Sequence, residues 1–204
     1  MRQKILITTL VAIAVISVGG FYELNLVQTQ NQIQTYNPGF VPQDDPLLKT
    51  LAGEKVNDLQ EAKLKSGFAK LEPTYLPPGY QIRQIQNIAD DNRVGMLISK
   101  SPITDKTTIV DYTWKQGGLG LEVSKLPDNF DKSRQIKALV SEGSTYRVID
   151  GKEFVFHDII NSVGPDGQTV SAPAELGMYD GQIVTRISGF ISPDEMIKIA
   201  QSIK

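Results

Sequence analysis

The sequence predicts an α+β domain built on an antiparallel β-sheet, flat or curved into a half-barrel, with a packing helix near its start and another at its end. Three observations support this fold class. Short segments that alternate apolar and polar residues recur from Tyr80 onward. Asp-Gly pairs at 150–151 and 180–181 favour hairpin turns between such segments. The last residues, from Ser192, have the spacing of an amphipathic helix.

The first residues predict a transmembrane or signal segment ahead of this domain. Arg2 and Lys4 precede an apolar run that begins at Ile5 and continues to Tyr22. These positive charges favour the cytoplasmic side for the amino end, so the following residues are expected outside the cytoplasm. Residues 1–27 are therefore interpreted as a signal anchor in the cell membrane or as a signal peptide whose removal leaves the protein secreted.

Both alternatives stay open. A spanning helix needs roughly 20 apolar residues, and this run is shorter. Small residues at 17–20 offer a cleavage site, although they lack the usual Ala-x-Ala pattern. The chain contains no cysteine, which excludes anchoring as an acylated lipoprotein.

Composition excludes several classes of function. The 204 residues include no cysteine and one histidine, which argues against disulfide frameworks, thiolate chemistry and histidine metal clusters. The 21 Lys and Arg residues nearly balance the 23 Asp and Glu residues, so nothing indicates nucleic-acid binding. Such a domain must fold by apolar burial alone.

Residues 28–54 are interpreted as a flexible tether, because they are rich in Gln and Asn and have few periodic apolar positions. The folded domain is expected at 55–204. At its start, Val56, Leu59 and Ala62 have the spacing of a short amphipathic helix, which is predicted to end at glycine 67.

The segment 71–80 is predicted to be extended. Its prolines at positions 73, 77 and 78 exclude a helix, and Pro78-Gly79 favours a turn immediately before the first long strand.

Eight segments after this turn lack a helical period and are predicted strands: 80–88, 94–99, 108–114, 119–126, 145–149, 153–159, 175–179 and 182–189. Alternate residues are expected to share one buried face. These are Val94, Met96, Ile98, Leu119, Leu121, Val123, Phe154, Phe156, Ile183, Thr185 and Ile187.

Three further segments complete the predicted fold. Residues 128–144 are charged and weakly helical, and residues 161–173 are interpreted as a long exposed loop around a Gly-Pro-Asp-Gly sequence. In the closing helix, Ser192 is the expected N-cap, with proline at the first helical position and glutamate at the third. Its apolar stripe consists of Met196, Ile199, Ala200 and Ile203.

Four motifs follow one another in a specific order: residues 67–80 (GFAKLEPTYLPPGY), 149–153 (IDGKE), 179–183 (YDGQI) and the helix at 192–203. Together they resemble DUF family 4367, a bacterial extracytoplasmic domain of unknown function, over residues 58–204. The resemblance implies a sheet domain of the kind that often forms the outer part of membrane-anchored anti-sigma factors. No catalytic or ligand residues are established for that family, so none is implied here.

The chain departs from that family in two places. Only Met1 to Lys4 precede the apolar run, so no cytoplasmic domain that could hold a sigma factor is expected. Met178 stands where members commonly have an aromatic residue before the second hairpin.

No catalytic, cofactor or metal residues are predicted. His157, beside Asp158, is interpreted as an exposed or half-buried pair rather than part of a Ser-His-Asp triad. The acidic groups at 44–45 and 90–92 lack the spaced ligands of a calcium loop. Residues 117–120 (GGLG) lack the lysine and the helix of a phosphate loop.

Two hypotheses of function remain. The first is a non-enzymatic interaction or sensory module, held at the membrane, whose partner is another envelope protein. The alternative is a carrier of a lipid or another apolar ligand inside a curved sheet. In the first case Trp114 fills the core, and in the second it lines a cavity.

We predict that residue 204 lies outside the cytoplasm, because positive charge precedes the apolar run. A reporter that is active only in the cytoplasm, fused after Lys204 of the full chain, is expected to be inactive in cells. The same fusion without residues 1–27 is the control and is expected to be active. Strong activity of the full-length fusion contradicts the topology.

Overall fold

The computed structural model describes residues 54–88, 92–102, 117–163 and 167–204. The predicted membrane segment, the tether up to residue 53 and the predicted strand at 108–114 lie outside these residues. The strands of the described part are β1 Glu54–Val56, β2 Gln81–Ile88, β3 Arg93–Ser99, β4 Leu119–Lys125, β5 Thr145–Ile149, β6 Lys152–His157, β7 Ile160–Val163, β8 Thr169–Ala172, β9 Ala174–Asp180 and β10 Ile183–Gly189. Its helices are α1 Leu59–Ser66, α2 Lys132–Ser141 and α3 Pro193–Gln201.

Eight strands form one open sheet in the order β1-β2-β3-β4-β10-β9-β6-β5, and β7 pairs with β8 separately. Every pair of neighbours is antiparallel. The predicted α+β fold on an antiparallel sheet is therefore confirmed. Among the described residues, the two edges of the sheet are β1 and β5.

One face of the sheet carries the apolar core, and the predicted alternation is confirmed. The expected inward residues of β3, β4 and β6 are buried, as are Thr185 and Ile187 on β10, while Ile183 is partly buried. Residues of α1 and α3 belong to the same cluster, among them Ala62 and Met196. These two helices therefore cover this face, at opposite ends of the domain sequence as predicted.

The segment before β2 and the last residues of the chain together hold α3 on the sheet. Pro73 and Ile203 form an antiparallel bridge. The backbone N–H groups of Leu71 and Glu72 donate to the carbonyl of Lys204 at 2.9 and 3.1 Å, and the Lys204 N–H donates to the carbonyl of Glu72 at 3.0 Å. We call residues 71–75 and 202–204 the clamp. It pairs backbone groups that lie 128 or more positions apart in the sequence.

Side chains extend the clamp onto α3. The Ser202 Oγ accepts a hydrogen bond from the Tyr75 N–H at 3.1 Å, and the Tyr75 hydroxyl donates to Glu195 Oε2 at 2.6 Å. Ser192 is the N-cap as predicted, accepting from the Glu195 N–H at 3.3 Å. The Glu195 carboxylate binds Lys198 and Tyr75, and these hydrogen bonds, that of Lys198 first, lower its pKa.

The Asp-Gly turns differ from each other. Asp150 and Gly151 both have positive φ, 51° and 75°, as a type I′ hairpin requires. The prediction for the second turn was wrong by one residue. Asp180 still belongs to β9, where it faces Ile183, and the two-residue loop is Gly181-Gln182. Gly181 has φ of 62° at the first central position, which is typical of a type II′ turn.

The expectation of a long loop at 161–173 was also wrong. β7 and β8 form a two-stranded antiparallel ladder in which Ile160 faces Ala172 and Val163 faces Thr169. Both strands consist of uncharged, mostly small or polar residues, so the alternation that identifies a half-buried strand is weak. The two strands form because their backbones pair with each other, although their sequence pattern is weak.

The start of the domain contains a strand that the sequence pattern did not predict. β1 pairs with β2, so Val56 faces Ile85 instead of lying on a helix. α1 begins later because Asp58 is its N-cap, accepting from the Glu61 N–H at 2.8 Å. It ends at Gly67 as predicted, since that residue has φ of 73°.

We predict that Ile199→Ala lowers the free energy of unfolding of the full chain by about 2–5 kcal/mol, because Ile199 is a fully buried residue of α3. Urea denaturation followed by circular dichroism measures the effect. The matched control is Leu64→Ala on α1, where the side chain is 78% exposed, and it should change stability by less than about 0.5 kcal/mol. Equal losses in the two variants contradict the packing of α3.

Candidate interaction surface

Strand β5 is an exposed edge of the main sheet. It has five residues, of which the first four are exposed and Ile149 is half-buried. Its apolar side chains Tyr146 and Val148 are 42% and 57% exposed. The other edge, β1, has three residues and ends in the buried Val56. The described part of the sheet therefore has its longer open edge at β5.

The hairpin turn determines which backbone groups of β5 are left for a partner. Because Asp150-Gly151 is a two-residue loop, its flanking pair Ile149 and Lys152 is hydrogen-bonded, and such pairs alternate along an antiparallel ladder. Arg147 therefore bonds to β6 through its backbone. The N–H and C=O groups of Tyr146 and Val148 point away from β6, toward the open edge.

Helix α2 supports β5 from the face opposite the core. Its Lys132 donates to Glu153 on β6, and the Tyr146 hydroxyl donates to the other oxygen of the same carboxylate at 3.1 Å. The hydrogen bond from Lys132 lowers the pKa of Glu153. Desolvation and the hydrogen bond to Glu153 raise the pKa of Tyr146. Tyr146 is thus held beside α2, where Val140 is also exposed.

Arg147 supports the strand from the other face. Its Nη1 lies 3.6 Å from Asp194 Oδ1 on α3, and its guanidinium carbon lies 5.0 Å from the centre of the Phe156 ring. A charge on an edge strand also protects against indiscriminate pairing with other chains. The edge strand therefore has side-chain contacts on both of its faces.

A charged ladder crosses the central strands on the face opposite the core. Glu122 on β4 accepts from Arg186 Nη1 on β10 at 2.7 Å, and Arg93 Nη1 on β3 lies 3.7 Å from its other oxygen. Ser124 lies between them, its Oγ 3.3 Å from Glu122 Oε1 and 3.4 Å from Arg186 Nη1. The ladder places one carboxylate between two guanidinium groups. This arrangement ties β3, β4 and β10 together.

Tyr179 lies on the same face as this ladder and is buried. Burial raises the pKa of its hydroxyl, while the positive charge of Arg186 acts in the opposite direction. Its ring also covers Gly177, two residues earlier on β9, with a ring carbon 3.6 Å from the position that a Cβ there would occupy. A larger side chain at position 177 would therefore compete for space with the Tyr179 ring.

The residues that the sequence analysis examined for chemistry do not come together. His157 ends β6 and is half-buried, with Glu175 as its cross-strand neighbour. Asn92 lies in the turn before β3 with φ of 47°, and Gly117 has φ of 68° shortly before β4 begins. Asp44, Asp45, Asp90, Asp91 and Trp114 lie outside the described residues.

Within 54–88, 92–102, 117–163 and 167–204, no three acidic or histidine side chains are grouped as metal ligands. No helix in these ranges is long and apolar enough to cross a membrane. A surface depression of about 400 Å³ lies beside the start of α2, lined by polar residues such as Asp131 and Gln182 together with Leu126 and Phe130.

Comparison with known proteins gives no match: no protein-family model, no curated protein and no solved structure matches this chain. The resemblance to DUF family 4367 stays a prediction based on the order of its four motifs.

We predict that Glu122→Gln lowers the free energy of unfolding by about 1–3 kcal/mol, since it leaves two guanidinium groups beside a neutral amide in a half-buried position. Urea denaturation at neutral pH measures the change. The control, Glu142→Gln at the exposed end of α2, should stay within about 0.5 kcal/mol of the original chain. Identical midpoints for the two variants contradict the role of the ladder.

Proposed function

We propose that this chain is a non-enzymatic interaction module of the bacterial envelope, which binds a partner protein by adding one of the partner's strands to β5. The observation that carries the proposal is the open edge itself, with two outward-facing backbone units at Tyr146 and Val148. The apolar side chains of those two residues supply exposed surface beside the backbone contacts.

We also propose that residues 5–22 place the domain outside the cytoplasm, either as a single-pass anchor or as a signal that is removed. The positive charges before the apolar run support this location.

The alternative function, a carrier of a lipid or another apolar ligand, has less support. A carrier needs a cavity of several hundred Å³, lined mainly by apolar side chains. The core face of the described sheet is instead filled by large side chains, including Phe154, Met96, Leu121 and Ile199, all at most 1% exposed. The depression beside α2 is lined largely by polar residues.

We predict that Val148→Pro abolishes binding of the partner, because proline removes the outward N–H without removing a bond to β6. The full chain, carrying a photoreactive phenylalanine in place of Tyr146, is irradiated in the membrane of its own bacterium. One specific crosslinked protein is expected, and it should be lost in Val148→Pro.

Two controls make this test specific. Val148→Thr keeps both the N–H and the β-branched shape, so the crosslink should persist. The same photoreactive residue at the exposed Leu64 on α1 should not capture that protein. Thermal melting shows whether each variant is folded. A crosslink that survives in folded Val148→Pro contradicts strand addition.

A further inference from the structure

Strands β7 and β8 continue the hairpin of β6 and β9 after an interruption. His157 faces Glu175 in the last pair of the β6–β9 ladder, and Ile160 faces Ala172 in the first pair of the β7–β8 ladder. Two residues on each side separate the ladders, so the register does not slip. We call β7 and β8 the arm. The base of the arm is this interruption, residues 158–159 and 173–174, where the two strands leave the main sheet.

Local chemistry explains why pairing stops at the base. Pro173 has no N–H to donate across the ladder. On the other strand, the Ile159 N–H donates to Asp158 Oδ1 at 2.7 Å, and the carbonyl of Asp158 lies 2.9 Å from His157 Nδ1. The Ile159 N–H, which would continue the ladder opposite Pro173, is therefore occupied by a side chain.

The ring of His157 lies between two acceptors. Nδ1 faces the carbonyl of Asp158, and Nε2 lies 3.7 Å from Glu175 Oε2 on β9. A carbonyl and a carboxylate both accept hydrogen bonds, and a neutral imidazole has only one N–H. Only the protonated ring directs an N–H at both acceptors, and only then does it form an ion pair with Glu175. Deprotonation therefore leaves a ring lone pair facing an acceptor at the point where the arm begins.

We propose that His157 and Glu175 form a proton-dependent clasp that fixes the arm to the sheet when His157 is protonated and lets it move when the proton is lost. A two-stranded hairpin is marginally stable by itself, so the orientation of the arm depends on its base. One cross-strand side-chain bond, from Ser171 Oγ to Asn161 Oδ1 at 2.6 Å, lies within the arm.

The direction of the pH effect follows from the surroundings of His157. Burial disfavours its charge, but the carboxylate of Glu175, the hydrogen bond to the Asp158 carbonyl and the negative charge of Asp158 outweigh burial and raise its pKa. Glu175 on β9 and Asp158 beyond β6 are the charged groups that face it in the described part of the chain. Across β9 from this pair, β10 contributes Ser188, which does not titrate. On β5, Tyr146 lies on the same face, and its hydroxyl donates to Glu153.

A raised pKa in the closed state means that the clasp is fully effective below the ordinary pKa of histidine, near 6.5. Its contribution is lost as the pH rises through the raised value. The arm is therefore fixed in acid and freed as the pH rises above that raised value. A domain outside the cytoplasm would experience changes in the pH of the medium directly. The exposed side chains Ile160 and Val163 of the uncharged arm would then change their orientation relative to the main sheet.

The single histidine makes this proposal easy to test. In the full chain, solubilised in mild detergent and labelled with ¹³C-histidine, NMR titration gives one resonance, whose midpoint should exceed that of histidine in an unfolded peptide. Hydrogen–deuterium exchange, corrected for its intrinsic pH dependence, is measured in parallel on peptides that cover the arm and on peptides that cover β10. Arm protection should fall tenfold for each unit by which the pKa is raised, and β10 should show no such fall.

Two variants separate the clasp from a general effect of pH. Glu175→Gln should lower the midpoint of His157 and remove the pH dependence of arm protection, because an amide can accept from or donate to the ring in either state. Glu142→Gln, at an exposed carboxylate on α2, should behave as the original chain does. Arm protection that stays constant while His157 titrates overturns the proposal, as does a pKa of His157 that is not raised. The strand-addition test at Val148 concerns a different edge, so either proposal can fail alone.

Discussion

The clamp between residues 71–75 and 202–204 is the contact on which the rest of the domain depends. It pairs the extended proline-rich segment with the residues that follow α3, and so fixes that helix over the sheet. Met196, Ile199 and Ala200 then reach the core face as a group with no exposed surface. An isolated helix of nine residues is unstable in water. Its formation here is therefore a consequence of this long-range pairing and the apolar burial that accompanies it.

The same helix connects the core to the proposed binding edge. Asp194 near the start of α3 lies beside Arg147 of β5, while α2 supports the opposite face of β5 through Lys132, Glu153 and Tyr146. The edge is held on both faces, which limits the conformational entropy that strand addition must overcome. The arm differs, because we propose that the pair of His157 and Glu175 at its base controls its orientation. The fold thus contains one fixed surface and one whose position is expected to vary with pH.

Sequence patterns predicted the structural elements that depend on contacts between residues close in sequence. The Ser192 cap, the Gly67 stop, the Asp150-Gly151 turn and the alternation of Val94, Met96 and Ile98 each depend on residues close in sequence, and the structure bears them out. The arm and β1 were missed because their strands are short and lack an apolar alternation. The strand order was not predictable, since no pattern within β5 shows that β6 is its only neighbour among the described strands. For the same reason the sequence pattern did not show that Tyr146 and Val148 lie exposed on an edge strand.

Amide exchange at single-residue resolution tests the central claim, that a partner adds a strand to β5. The free full chain is compared with its complex isolated from the native membrane. The Tyr146 and Val148 amides should exchange freely alone and become protected in the complex, while the Arg147 amide, bonded to β6, should be protected in both. A stable complex in which the Tyr146 and Val148 amides still exchange freely would contradict strand addition at this edge.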